Sequence, residues 1–182
     1  MPLIIRANTL LPQVENDPWL LIRDITETAA MADAHCILPL ALWQAQRAQG
    51  VLQANSHTGV WIGASDEYEA RIDELLTLPL IAIDFPSFRD GRAYTVAFLL
   101  RTRHGYRGEL RAIGDVLRDQ LFYMHRCGFD TFAVREDKDI QDALKGLTEY
   151  TIRYQGAVDD PVPLFRKRAM EVADLNDEHW EP

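Results

Sequence analysis

From residue 59 onward the hydrophobic pattern alternates between two periods. Short apolar runs at 59–63, 80–83, 109–113 and 129–134 are separated by longer stretches in which apolar residues recur at three- and four-residue spacing. The runs predict buried strands. The stretches predict helices over 66–76, 92–104, 116–127 and 138–150. In the third of these, Leu117, Leu121 and Met124 fall at i, i+4 and i+7, one face of a helix. Ser65 or Asp66 stands where a helix cap belongs. Gly105 and Gly128 stand where helices end.

Strand and helix alternating at these lengths predict βαβ units and a parallel sheet. The expected fold is a single α/β domain over residues 1–158 with a short parallel sheet. An open layered form is preferred to a partial barrel, because a full eight-unit barrel normally takes about 250 residues. Right-handed crossovers place every strand-to-helix loop on one edge. Segments 64–66, 84–91 and 114–118 are therefore expected to meet there, with Asp84 and Asp115 facing one another.

The ends are less regular. Residues 1–36 read as an N-terminal extension or hairpin, with strands at 2–5 and 19–22 and a turn at Asn16-Asp17-Pro18. Pro39 opens a helix. Residues 151–156 read as an edge strand, and 159–182 as an acidic C-terminal arm containing Arg166-Lys167-Arg168.

Composition narrows the class. With 182 residues, 47% of them apolar, one sizeable core is available. The net charge of -9 argues against nucleic acid as a partner. The charge is uneven: residues 89–126 hold eight Arg, no Lys and four acids, so this stretch is basic within an acidic chain. The two cysteines, Cys36 and Cys127, are too few for a secreted disulfide scaffold, a structural zinc site or an all-cysteine iron–sulfur cluster. No apolar run approaches the ~20 residues of a membrane helix, and the N-terminus has no basic leader, so a cytoplasmic protein is expected.

Candidate chemistry concentrates in the loop 84–91. Arg89 and Arg92 flank the start of the following helix, where free amides and guanidinium groups suit a small oxyanion or an acidic partner. Arg118, at the start of the next helix, is expected to turn toward the same loop. Asp84, Asp90 and Asp115 are the catalytic candidates, as acid and base. The competing role for the same residues is capping and arginine pairing. No metal site is expected from the five scattered histidines, and no dinucleotide or phosphate-loop fingerprint is present. Arg111 interrupts an apolar strand, which marks either a special position or an edge from which the side chain reaches water.

Two long runs carry a resemblance. Ile83-Asp84-Phe85-Pro86-Ser87-Phe88-Arg89-Asp90-Gly91-Arg92-Ala93-Tyr94 with Leu99-Leu100-Arg101 is one, and residues 105–130, opening Gly105-Tyr106-Arg107-Gly108, are the other. Over about residues 37–135 the chain resembles the bacterial family of unknown function DUF934. Members of that family are often labelled probable oxidoreductases, and their genes commonly neighbour those for assimilatory sulfite reductase and sulfate activation. The family loop often has Thr or Arg near position 89, which shifts weight to Asp90, Gly91 and Arg92. The resemblance thus implies a role in sulfite reduction. Reducing sulfite to sulfide needs cofactors such as sirohaem and iron–sulfur clusters, and two cysteines do not supply the ligands. The expectation is an accessory or partner of sulfite reductase, or of another sulfur-assimilation protein, aiding electron delivery or assembly with no cofactor of its own. The alternatives are a small carboxylate/arginine enzyme acting on an anionic substrate, and a structural homo-oligomer.

Overall fold

The computed structural model describes residues 2–9, 11–24, 34–52 and 57–177. Residues 25–33 of the expected extension and 178–182 of the expected arm lie outside the described residues. Eight strands, β1 (Leu3–Arg6), β2 (Gln13–Asn16), β3 (Trp19–Leu21), β4 (His35–Pro39), β5 (Thr58–Gly63), β6 (Leu80–Phe85), β7 (Glu109–Gly114) and β8 (Thr131–Phe132), form one sheet in the order β2-β1-β8-β7-β6-β5-β4-β3. Strands β3 to β8 are parallel and follow chain order, whereas β1 runs antiparallel to both β8 and β2. The helices are α1 (Leu40–Ala48), α2 (Ile72–Leu75), α3 (Arg92–Thr102), α4 (Arg118–Arg126), α5 (Ile140–Leu144) and α6 (Leu164–Asp177).

The sheet is not an open layer. It curls through 242° about an axis into a closing half-barrel. Strand order explains why. A doubly wound sheet reverses direction once, so that its helices cover both faces. Here each strand is added beside the last without reversal, and right-handed crossovers then put the helices on one side only. The uncovered face is buried by curling onto itself. The chain also joins the two sheet edges directly: β2 ends at Asn16 and β3, on the opposite edge, begins at Trp19. A link of two residues spans only about 10 Å, so the edges have to approach one another.

Alternation along the strands divides the core. Ile81, Ile83 and Phe85 of β6, Leu110 and Ala112 of β7 and Phe132 of β8 pack outward against Ala97 and Leu100 of α3 and Leu121 and Met124 of α4. Ile37, Leu80, Ala82 and Ile113 point inward, with Trp19, Leu21, Trp61 and Ala133 packed on them. Each fully buried Ile, Leu, Phe or Met side chain among them contributes about 1.5–3 kcal/mol from surface removed from water.

The inner face also holds a charged cluster. Arg111, 1% exposed, is on the central strand β7. It therefore does not lie at an edge or reach for water. Its Nη1 donates to Asp17 Oδ2 at 2.7 Å, its Nη2 to Glu109 Oε1 at 2.7 Å, and its Nε to Thr131 Oγ1 at 3.3 Å. Arg6 joins Glu109 to Glu15, at 3.1 and 2.5 Å. Asp17 belongs to the edge-joining link, so this cluster ties the closure to the middle of the sheet.

Several expected elements differ. The strand at 2–5 pairs with Gln13–Asn16, and the strand at 19–22 pairs with β4 on the far edge, so the two do not form a hairpin. The helix expected over 66–76 is reduced to a 3-10 turn at Glu69–Arg71 and the single turn of α2. Asp66 is responsible in part: its Oδ2 accepts from the Gly63 amide at 2.8 Å, tying the carboxylate back to β5 rather than to a helix start. Residues 151–156 are not a strand; they wrap along α4, where the Val158 amide donates to the Arg126 carbonyl at 3.1 Å. The expected acidic arm forms α6 over its described part from Leu164.

Candidate functional site at the carboxyl rim of the sheet

The parallel strands bring the loops after β3, β5, β6, β7 and β8 to one rim. Asp84 is the next-to-last residue of β6 and lies beside Gly63 in the register. Its Oδ1 accepts from Arg23 Nη1 at 2.7 Å. Arg23 follows β3, three strands away, a separation of about 14 Å in a flat sheet. The ion pair exists because the sheet curls. The Arg23 guanidinium also lies 5.2 Å from the centre of the Trp61 ring, and Trp61 Nε1 donates to the Ile22 carbonyl at 2.9 Å. The three residues thus span the mouth of the curl.

Asp115 connects three loops. Its amide donates to the Phe85 carbonyl at 2.8 Å, its Oδ2 accepts from the Phe88 amide at 2.8 Å, and its Oδ1 accepts from Arg135 Nη1 at 2.7 Å. The Phe88 amide first, and Arg135 in addition, hold its carboxyl below the ordinary value. Asp90 forms a two-pronged pair with Arg92, at 2.9 Å to Nε and 2.6 Å to Nη2. That pairing, together with the Arg92 amide, pulls Asp90 down to about 2. Arg92 Nη1 reaches Ser65 Oγ at 2.8 Å, which bridges the loops after β5 and β6.

Gly114 permits this crowding. Its φ is +91°, and a Cβ there would lie 2.4 Å from the Phe85 carbonyl oxygen and 2.8 Å from Asp84 Oδ1. A side chain at 114 is excluded by both backbone shape and space.

Asp84, Asp90, Asp115, Arg89 and Arg92 therefore all lie on one rim. Arg89 is exposed and stacks on Phe88, 5.5 Å from the ring centre. Arg118 does not join them. It turns the other way, to Asp142 at 2.9 Å and Glu149 at 2.5 Å, because α5 and the following turn pack beside α4. Gln120 takes the place expected of Arg118, donating from Nε2 to the Phe88 carbonyl at 2.9 Å. Sequence reasoning missed Arg23, Trp61 and Arg135. An arginine directly after a strand was a usable signal only for Arg23, and then only with the strand order known.

The rim is thus a set of arginine–carboxylate pairs. Asp90 and Asp115 remain ionised at neutral pH, so neither holds a proton to donate, and every oxygen of the two carboxylates already accepts at least one hydrogen bond. Cys36 and Cys127 are buried, and burial pushes both thiols up, away from nucleophilic thiolate. Among the described residues no group of three or more His, Cys, Asp or Glu is placed to hold a metal ion, and no helix is long and apolar enough to cross a membrane. Asp115→Ala is expected to free the Phe88 amide and Arg135. Hydrogen exchange should rise over 86–91, while the thermal unfolding temperature changes little, since the ion pair is solvent-screened.

Fold and rim define a curled α/β protein with an internally neutralised loop edge. A family model described as a bacterial protein of unknown function (DUF934) matches residues 59–165, more than half of the chain, and the chain belongs to that family. The match begins later and ends later than the 37–135 span of the motifs, and takes in the segment that wraps along α4. No curated protein and no solved structure matches the chain.

Proposed function

We propose that this protein is an accessory subunit that docks onto a larger enzyme, and that the enzyme is assimilatory sulfite reductase. One observation carries the docking half of the reading. On the helical side a groove of about 570 Å³ is lined by Phe98, Phe122, Tyr123, Tyr150, Arg126 and Arg153, among others. Tyr123 and Tyr150 are 58% and 59% exposed, and Phe98 is also exposed. Aromatic residues and arginine, without lysine, are the types that concentrate at protein interfaces. An acidic chain has little reason to leave so many rings in water unless they are covered by a partner. The sulfite reductase half rests on the gene neighbourhood that the family resemblance implies.

The rim does not favour the competing reading of a carboxylate enzyme, because its acids are neutralised by their own arginines. Mild purification from the native cell, followed by reductase assays with and without the protein, tests the proposal. Expected are co-purification with the reductase, altered turnover on addition, and at least tenfold weaker binding for Tyr123→Ser/Tyr150→Ser. A protein that neither binds the reductase nor changes its rate sinks the proposal.

A further inference from the structure

Helix α4 has two faces. Leu121 and Met124 turn to the core, whereas Asp119, Phe122, Tyr123 and Arg126, at i, i+3, i+4 and i+7, line the aromatic groove. A second hollow of about 500 Å³ adjoins that groove and leads to Arg107, Pro161 and Pro163, with Phe98 common to both. Gly156 and Ala157 also line both. They belong to a turn that is tied down. The Ala157 amide donates to the Asp160 carbonyl at 2.8 Å, and the Val158 amide to the Arg126 carbonyl at 3.1 Å. Gly156 packs so closely that a Cβ there would lie 2.3 Å from the Pro161 carbonyl oxygen. The two hollows are one trough, and its wall is built into the fold.

The charges of the trough are uneven. Arg101, Arg107, Arg126 and Arg153 line it, against one acid, Asp119. Arg101 is occupied by the fold: it donates to the carbonyls of Gly128, Tyr106 and Gly108 and pairs with Asp130. The other three are less fully matched. Asp159 alone serves both Arg126 and Arg153, which leaves one positive charge over. The Arg126 side chain is only 11% exposed, yet its Nη1 lies 3.6 Å from Asp159, beyond hydrogen-bond range, and donates to no group of the protein. Arg107 is exposed, and among the described residues it makes no ion pair. Asp119 stands two turns back along α4 from Arg126, about 10 Å. Spare guanidinium donors therefore gather beside exposed rings and prolines. Guanidinium groups in this state suit carboxylates, and the rings suit an aromatic or apolar side chain. Nucleic acid would find the same donors, but a chain of net charge -9 repels a polyanion.

We propose that the trough takes an acidic segment of the partner protein, with carboxylates on Arg107 and Arg126 and an aromatic or apolar side chain against Phe98. The inference rests on the docking role proposed for this face and states what the partner must offer. A display library of random peptides, selected on the full chain, tests it without any reductase. Selected peptides are expected to be rich in Asp and Glu and to carry an aromatic residue. A labelled copy is expected to bind about tenfold more weakly to Arg107→Glu and to Phe98→Ser, both exposed positions whose thermal transitions should not change. Arg103→Glu makes the same charge change just past α3, outside the trough, and is expected to cost less than about threefold. A selected peptide that displaces bound reductase supports both readings. Acidic peptides that need Arg107 but leave the reductase bound support the trough and count against the reductase as its occupant. An empty selection, basic or uncharged peptides, or acidic peptides indifferent to Arg107→Glu would overturn the proposal. So would a reductase that binds Arg107→Glu and Phe98→Ser as tightly as the wild type, and that result would leave the docking role standing.

Discussion

Arg111→Ala is expected to destabilise the fold by about 3–5 kcal/mol, the range for removing one partner of a buried ion pair. The loss comes less from missing attraction than from what remains: Asp17 stays inside the curl without its guanidinium and Glu109 keeps only Arg6 as a cation. Urea denaturation with an unchanged slope measures the effect. Arg6→Ala is the control, because Arg6 touches the same Glu109 from a partly exposed position and is expected to cost about 1 kcal/mol. If both substitutions cost the same, burial of the cluster is not what makes it matter. The cluster also contributes to the acid limb of stability. Burial pushes the Glu109 carboxyl up, but Arg111, the Thr131 hydroxyl and Arg6 outweigh it and leave it below its ordinary 4.5. A carboxyl depressed in the folded state contributes stability above its unfolded value and loses it as pH falls through the folded one. The acid limb of a stability–pH curve is therefore expected below pH 4.5 in the wild type, and should flatten in Glu109→Gln.

The second large effect is expected at Gly114. Gly114→Ala places a methyl group against the Phe85 carbonyl and the Asp84 carboxylate in a backbone conformation that L residues avoid. The left-handed backbone alone costs about 1–2 kcal/mol, and overpacking adds about 1–3 kcal/mol. Asp84 is the movable neighbour, so part of the strain should be relieved by pushing it off Arg23. Thermal unfolding checks the first effect, and the fluorescence of Trp61, on which Arg23 stacks, checks the second. A variant with the wild-type transition temperature would mean that the rim yields more readily than its packing indicates.

How much of this could be read in advance depended on burial. Strands β5, β6 and β7 are covered on both faces, so β5 and β6 appear in the sequence as unbroken apolar runs and β7 as a run broken by Arg111, and the pattern places all three to within a residue or two. Strand β2, Gln13-Val14-Glu15-Asn16, is a polar edge and left no such mark. The helix over 66–76 failed because Asp66 bonds backward to β5, a choice that propensity does not register. The gathering of Asp84, Asp90 and Asp115 on one rim followed from crossover handedness alone. Their partners did not, because Arg23 and Arg135 reach them from strands whose order the sequence leaves open. Arg118 went astray for the same reason: the neighbour that captured it belongs to the packing of α5. The closed form was hidden for a different cause. Counting residues against a full barrel favoured an open sheet, whereas the short Asp17-Pro18 connection, which forces the edges together, looks like any other turn.

That connection bears on the order in which the molecule assembles. β1 lies beside β8, so Ile5 meets Phe132 across most of the chain. Pairings this distant in sequence are slow to form, since the entropy of closing the long loop is lost before the contact repays it. The parallel strands from β4 to β8 can accumulate by neighbour-to-neighbour steps. The opening hairpin has no place to settle until the last strand exists, and it therefore latches a sheet that synthesis has already completed.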